Sequence, residues 1–242
     1  MMIDLNSVLN KYGIKPKGVI QVGAHWAEEH DEFVKLGIER FVYIEPCEDA
    51  YIKMVKNVLK NDLLSKSYEY GHKIGVFTDG KHWFLRYACS DKDGDSVMYI
   101  SHQNQGQSNS ILKPNLHIEQ HPEVVFDDAE IIMTTRIDSL GGMSVGNGEL
   151  IPETSLSLND YDFLYMDVQG AEGLVLKGAE ETLKHIKVIY TEVNRGQTYK
   201  GNMEIDEMDT YLGERGFIRV ETHWPSPNWT WGDAVFIRKE LL

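Results

Sequence analysis

Two carboxylates able to accept a proton each close a short apolar run. Asp167 follows Asp162-Phe163-Leu164-Tyr165-Met166, and Glu192 follows Lys187-Val188-Ile189-Tyr190-Thr191. Side by side, such a pair acts as general base toward a weak nucleophile such as a sugar hydroxyl, or holds a divalent cation that acidifies it. A third acid, Glu45, closes Arg40-Phe41-Val42-Tyr43-Ile44 and lies 22 residues after Gly23, which itself follows Gly18-Val19-Ile20-Gln21-Val22. A small residue at a strand end lets a ligand approach the backbone, the next helix offers free N–H groups, and an acid about 20 residues on accepts ribose hydroxyls. Gly23 also reads as a tight strand-to-helix turn alone, and Asp167 as a cap for the helix starting near Ala171. Glu172 suits the positive start of that helix rather than a reaction.

These residues need strands to carry them. The runs ending at Gly23, Glu45, Asp167 and Glu192 read as buried strands, joined by a strand near Phe217 to Glu221 and a last one at Asp233 to Ile237. Between them fall helical stretches: Ala27 to Leu36 with Phe33, Val34 and Leu36 inward, Asp49 to Leu59 with Ile52, Val55 and Leu59 inward, Ala171 to His185, and Glu204 to Arg215. This alternation argues for an open, mostly parallel sheet with helices on both faces, which binds ligands outside the carboxyl ends of its strands. From Lys73 to Thr135 the pattern is β-rich (Lys73 to Phe77, Trp83 to Cys89, Val97 to Ile100, Ile131 to Thr135), an insertion over that carboxyl edge. Asp127 and Asp128 read as a solvated turn, and Asp138 and Ser139 as the cap of a short helix. No repeat or low-complexity tract divides the chain, so one domain is expected, with a core at about 17–238.

Composition narrows the partners. The 242 residues carry 24 Lys+Arg against 38 Asp+Glu, a formal charge of −14, with 42% hydrophobic and 26% charged residues. That is the balance of a packed, soluble domain, and its acidity disfavours nucleic-acid backbones and anionic membranes. No apolar run approaches the roughly 20 residues of a membrane helix, and the start lacks a signal-peptide profile, so a cytoplasmic location is expected. Cys47 and Cys89 form neither a disulfide framework nor a metal spacing. His25 and His30 flank Glu28 and Glu29, yet stand five apart where helical zinc motifs need four. His72, His82, His102, His117, His121 and His223 show no ligand spacing and read as surface or packing residues.

Two ligand classes suit Gly23 with Glu45. A dinucleotide needs Gly-x-Gly-x-x-Gly, but positions 23–28 read Gly-Ala-His-Trp-Ala-Glu, so NAD fits poorly. S-adenosylmethionine has no phosphate and carries a sulfonium, so one tight turn, one acid for its ribose and an electronegative pocket suffice.

Six segments in order sharpen this. They are Val22-Gly23-Ala24; Tyr43-Ile44-Glu45-Pro46; Ala88-Cys89-Ser90-Asp91-Lys92-Asp93-Gly94; Thr135-Arg136-Ile137-Asp138-Ser139-Leu140; Asp162 through Glu172; and Glu192 at a strand end. With them the chain resembles the FkbM family of class I S-adenosylmethionine-dependent methyltransferases over about Val19 to Ile237. It departs from the family at Gln21 (usually Asp), at His25-Trp26 (usually Asn then Gly) and at Gln169 (often Glu). The resemblance implies a Rossmann-like α/β fold with a mostly parallel seven-stranded sheet, helices on both faces and a β-rich insertion. It implies that Val22, Gly23, Ala24 and His25 approach the methionine part of the donor, that Glu45 and Pro46 hold its ribose side, and that Ala88, Cys89, Ser90 and Asp91 line the adenine. In the implied 3-2-1-4-5 strand order, Asp167 and Glu192 end neighbouring strands beside the methyl group, with Asp167 also near the donor's amino group. A divalent cation between them stays open.

For the acceptor, His25 sits at the mouth of the first strand, and the amide-rich stretch 103–110, with Ser108 and Asn109, suits sugar hydroxyls. The tryptophans of 223–231, Trp224 and Trp229 among them, suit the apolar faces of sugar rings or pack the final hairpin. Arg195 could steer an anionic acceptor such as a nucleotide-sugar or a uronic acid. The activity implied is O-methylation of a sugar hydroxyl in a glycan or glycan precursor. The alternatives are a non-sugar small molecule of polyketide type, or a nucleotide-binding module without catalysis. Oligomeric state is not legible.

Overall fold

Every residue of Gly18–Val22 is buried, so this strand needs cover on both faces. The computed structural model, which describes residues 2–60, 75–145 and 154–242, supplies that cover. Its strands are Gly18–Val22 (β1), Arg40–Ile44 (β2), Val76–Thr78 (β3), His82–Leu85 (β4), Ala88–Cys89 (β5), Gly94–Ile100 (β6), Asp128–Thr135 (β7), Ser144–Val145 (β8), Thr154–Ser155 (β9), Phe163–Met166 (β10), Val188–Asn194 (β11), Phe217–His223 (β12) and Trp231–Arg238 (β13). Its α-helices are Leu5–Lys11 (α1), His30–Lys35 (α2), Glu48–Leu59 (α3), Leu116–Gln120 (α4), Glu172–Lys177 (α5) and Ile205–Glu214 (α6). None among the described residues is long and apolar enough to cross a membrane.

The main sheet runs β12-β13-β11-β10-β1-β2-β4-β3. Its central five strands are parallel, in the order expected, and the strand order reverses between β1 and β10. The sheet has eight strands rather than seven and is mixed: β13 and β12 run antiparallel at one edge, and β3 adds antiparallel to β4 at the other. That extra hairpin closes because Asp79 caps the backbone of Lys81 and His82 while Thr78 Oγ1 donates to His82 O. Lys73, Ile74 and His72 lie outside the described residues. The expected strand Trp83 to Cys89 is two strands, because the chain leaves the main sheet after Leu85 and joins a second sheet, β5-β7-β6, at Ala88. Asp127 and Asp128 do not form a free turn, since Asp128 begins β7 and Asp127 binds His102.

Side-chain alternation divides the core between two faces. Ile20, Val22, Leu164, Met166 and Ile189 pack under α5 and α6 through Val175, Leu176, Met208 and Leu212. Val19, Phe41, Tyr43, Phe163 and Tyr190 pack under α1 to α3 through Leu5, Leu9, Phe33, Tyr51 and Met54. Each fully buried Leu, Val or Phe contributes about 1.5–3 kcal/mol, so the central strands hold the sheet. The inward stripe of α3 is Tyr51, Met54, Val55 and Val58, with Ile52 and Leu59 only half-buried. In α2 only Phe33 is buried, and Val34 is 45% exposed. This helix begins at His30, not Ala27, because His25 (φ 45°) and Ala27 (φ 56°) are left-handed and cannot continue a right-handed turn. The stretch 171–185 is broken after α5 by Gly178, whose absent Cβ would stand 2.0 Å from Ser90 O. Asp138 caps the short 3-10 turn Thr182–Lys184, not its own, by accepting from Thr182 N (2.9 Å) and Glu181 N (3.0 Å).

Gly23 closes β1 with φ 73°, and a Cβ there would lie 1.9 Å from Asp167 O. Gly23→Ala is therefore expected to cost at least ~1–2 kcal/mol from the left-handed backbone alone, more with the collision. A denaturant midpoint unchanged from wild type would contradict this.

Candidate active site

The site grows from the switch point. Gly23 N and Ala24 N both donate to Ile44 O at 3.0 Å, and Asp167 N donates to Val22 O at 3.1 Å, so three strand ends are tied together by backbone alone. Glu45 follows β2 and folds back over this knot. Its Oε2 accepts from His25 N (2.8 Å) and its Oε1 from Cys47 N (2.9 Å). Burial pushes the Glu45 carboxyl up, against those two hydrogen bonds, which favour its charge.

Two connected hollows meet here. A narrow slot of about 50 Å³ is bordered by Val22, Gly23, Glu45, Pro46, Ala88 and Cys89, with Met98, Ile111 and Val168 as further apolar walls. Cys47 borders it too, and burial holds both thiols protonated, with Cys47 pushed up to about 12. A wider cleft of about 680 Å³ shares Gly23, Glu45, Asn109 and Asp167 with the slot and continues past Ala24, His25 and Glu192.

The cleft floor is acidic. Asp167 stands open to the cleft with protein crowded round it, and this burial, with the charges of Asp233 and Glu29, pushes its carboxyl up to about 6. Glu192 is raised well above its ordinary value by burial and then by Glu172, Asp167 and Asp233. Gln169, at φ 53°, bridges the pair: its Nε2 donates to Asp167 Oδ1 (2.6 Å) and Glu192 Oε2 (3.3 Å). Its Oε1 accepts from Tyr199 Oη (3.1 Å) and its backbone O from Ser110 Oγ (2.7 Å), tying the floor to the insertion. Glu172 turns back on its own loop, accepting from Val168 N (3.1 Å) and Gly170 N (3.3 Å), and burial pushes it up to about 7.

Of the residues expected at the donor site, Val22, Gly23, Ala24, His25, Glu45, Pro46, Ala88, Cys89 and Asp167 border one hollow or both. Ser90 and Asp91 border neither. Ser90 N is spent on Thr135 O (2.9 Å), its carbonyl is turned onto Gly178, and Asp91 is exposed. Among acceptor candidates, His25, Ser108 and Asn109 border the cleft, whereas Arg195, Trp224 and Trp229 do not. Arg195 stacks on Trp224 and donates to the carbonyls of Trp229 (2.8 Å), Ser226 (3.0 Å) and Pro227 (2.5 Å), so it braces the last loop outside the cleft. Trp229 stacks on Trp231, and it is Trp231 that reaches the cleft.

His117, His121, Tyr199 and Asp233 also border the cleft, where both histidines pack against aromatic rings. His117 on α4 and His121 just after it stand four apart, which was the missed signal. Asp233 faces Glu192 across the antiparallel β11·β13 ladder, a pairing implied once the last strand is laid beside β11. No group of three or more His, Cys, Asp or Glu among the described residues is placed to hold a metal ion.

A family model described as "Methyltransferase FkbM domain" matches residues 21–219. Over 116 residues the chain is 30% identical to the 2-O-methyltransferase NoeI of Sinorhizobium fredii (strain NBRC 101917 / NGR234), a match spanning 48% of this chain and 40% of that protein's length. Among solved structures, magnesium protoporphyrin IX methyltransferase (ChlM) from Synechocystis PCC 6803 with bound SAM is 13% identical, with a TM-score of 0.45 over 97% of this chain and 77% of that one. M. capricolum TrmK in complex with S-adenosyl-homocysteine is 10% identical, with a TM-score of 0.45 over 99% and 70% of the two chains.

His25 pins the insertion to the β1 turn: Nδ1 meets Glu28 Oε1 at 2.8 Å and Nε2 meets Gln105 O at 2.9 Å. Both partners accept, so the ring carries two N–H groups and is charged. Burial opposes that charge, but the Glu28 and Gln105 bonds and the Glu28 and Glu45 charges outweigh it and raise His25 above its ordinary value. A raised folded value means that the stability from this contact is full below about pH 6.5 and lost as pH rises through the folded value. A histidine NMR titration should find His25 above the free value, with His25→Asn removing that part of the pH dependence. A lowered value would contradict the charged bridge.

Proposed function

This chain belongs to the methyltransferase FkbM family, and we propose that it is an S-adenosylmethionine-dependent O-methyltransferase acting on a sugar hydroxyl in a glycan or glycan precursor. The observation that carries the reading is the amide-bridged pair Asp167 and Glu192 on the floor of a cleft that opens onto Gly23 and Glu45. The 2-O-methyltransferase relative supports oxygen as the accepting atom. A cytoplasmic location belongs to the same reading, supported by two cysteines that are both free.

The residues fit such a donor. Glu45 is fixed by two backbone N–H groups and borders both hollows, which suits a carboxylate that accepts ribose hydroxyls. Pro46, Met98, Ile111 and Val168 give the slot apolar walls for a flat adenine ring. When bound, S-adenosylmethionine supplies a methyl group on a sulfonium that leaves as a neutral thioether.

The chain's own work is alignment and proton removal. Asp167 borders the cleft with Oδ1 held by Gln169, while among the described residues no donor is bonded to Oδ2, so Oδ2 is the atom to receive the acceptor's proton. Glu192 is buried among like charges, which raise its carboxyl well above the ordinary range and make it the weaker candidate for the ionised member of the pair. Tyr199, bonded to Gln169 Oε1 and Ser108 O (both 3.1 Å), closes the far side.

Asp167→Asn is expected to lower turnover about 10²–10⁴-fold while largely sparing donor affinity by calorimetry. Glu192→Gln, which keeps an amide in place of the second carboxyl, should lower it less. Because the base must be ionised, kcat/KM should rise with pH through about 6. Wild-type turnover in Asp167→Asn, or a profile flat from pH 5 to 8, would refute the assignment.

A further inference from the structure

The insertion places at one end of the cleft a histidine that the reaction above does not use. His117, on α4, borders the cleft and is only 5% exposed. Burial and then the neighbouring His121 push it down to about 4, so its ring is neutral. A neutral imidazole has one N–H and one bare nitrogen, and the hydrogen-bond chain around it decides which is which.

The Asn104 amide is satisfied at both ends when its nitrogen faces Ser101 Oγ (3.2 Å) and Ser101 O (3.0 Å). Its oxygen then faces Ser108 Oγ (2.7 Å) and Ser108 N (3.3 Å). The Ser108 hydroxyl proton therefore goes to Asn104, and Ser108 Oγ accepts from His117 Nε2 at 3.2 Å. His117 Nδ1 remains a bare acceptor, buried and without a partner. Such an atom is costly unless a ligand donates to it.

Charge limits what that ligand is. Among the described residues the cleft wall has no Lys or Arg, while Glu28, Glu45, Glu123, Asp167, Glu192 and Asp233 all border it. A phosphate or carboxylate entering would meet these six carboxyl groups against the one imidazolium of His25, whose two N–H groups are already spent on Glu28 and Gln105. The nearby Trp231 spends its indole N–H on His121 Nε2 (3.2 Å), so it offers the cleft an apolar ring.

The geometry points to an acceptor subsite at this end of the cleft for a polyhydroxyl ligand without negative charge, neutral or amine-bearing, with His117 Nδ1 accepting from one of its hydroxyls and Trp231 flanking it. This deepens the proposed function and rests on it.

The test titrates the full chain, with and without S-adenosylhomocysteine, with methyl glucoside, methyl glucosaminide and methyl glucuronide, which share one ring and differ in charge. The first two should bind at least tenfold tighter than the glucuronide. His117→Phe should weaken the glucoside at least tenfold while changing S-adenosylhomocysteine affinity less than twofold. Should that variant not fold, ¹⁵N-histidine spectra of the wild type serve instead: His117 should be the neutral Nε2–H tautomer, its Nδ1 signal moving with the glucoside and not the glucuronide. Glucuronide binding as tight as glucoside, binding of none of the three, an Nδ1–H tautomer, or an unmoved Nδ1 signal overturns the subsite. Failure of S-adenosylhomocysteine alone, with the glycoside contrast intact, strikes the donor reading instead.

Discussion

The site depends on one close approach, the backbone of Gly23 against the carbonyl of Asp167. No side chain fits between them, so the end of β1 and the end of β10 are held at a separation set by covalent geometry rather than by packing. Everything else is referenced to that point. Glu45 reaches it through two backbone N–H groups, and Asp167 projects from it into the cleft. Slot and cleft share Gly23, Glu45 and Asp167, so both hollows are anchored on this knot.

Around the knot the structure concentrates acids that burial and mutual repulsion make costly to ionise together. Gln169 moderates this by donating one amide to two carboxylates, which a carboxylate at that position could not do. The same residue reaches Tyr199 and Ser110, so the charge state of the floor and the seating of the insertion share hydrogen bonds. In physical terms the departure from Glu to Gln trades another negative charge for a bridge.

Much of this was legible in the sequence, for identifiable reasons. Strands buried on both faces leave continuous apolar runs, and an acid or glycine ending such a run stands out, which is why Gly23, Glu45, Asp167 and Glu192 could be named. The parallel order followed from the family resemblance. What escaped depends on long-range or irregular structure. Asp233 joins the floor only through an antiparallel register, and α4 is a five-residue helix too short for periodicity to show. Ser90 and Asp91, expected at the adenine, lie outside both hollows, with the Ser90 carbonyl against Gly178 and Asp91 exposed, a placement that local pattern does not show. Arg195 carried the right charge for an anion but lies outside both hollows and spends three of its five N–H donors on main-chain carbonyls, which composition cannot reveal. The left-handed His25 and Ala27 shortened a helix that apolar spacing had extended.

Cys47 and Cys89 border the slot where the donor is proposed to sit. A sulfonium methyl is an electrophile, and sulfur is a better nucleophile toward it than oxygen whenever the thiolate is present. Burial without a nearby cation keeps both as thiols, with the Cys47 sulfur further engaged by Asn109 Nδ2 at 3.3 Å. On the proposed reading, this apolar lining keeps both sulfurs from competing with the incoming oxygen for the methyl group.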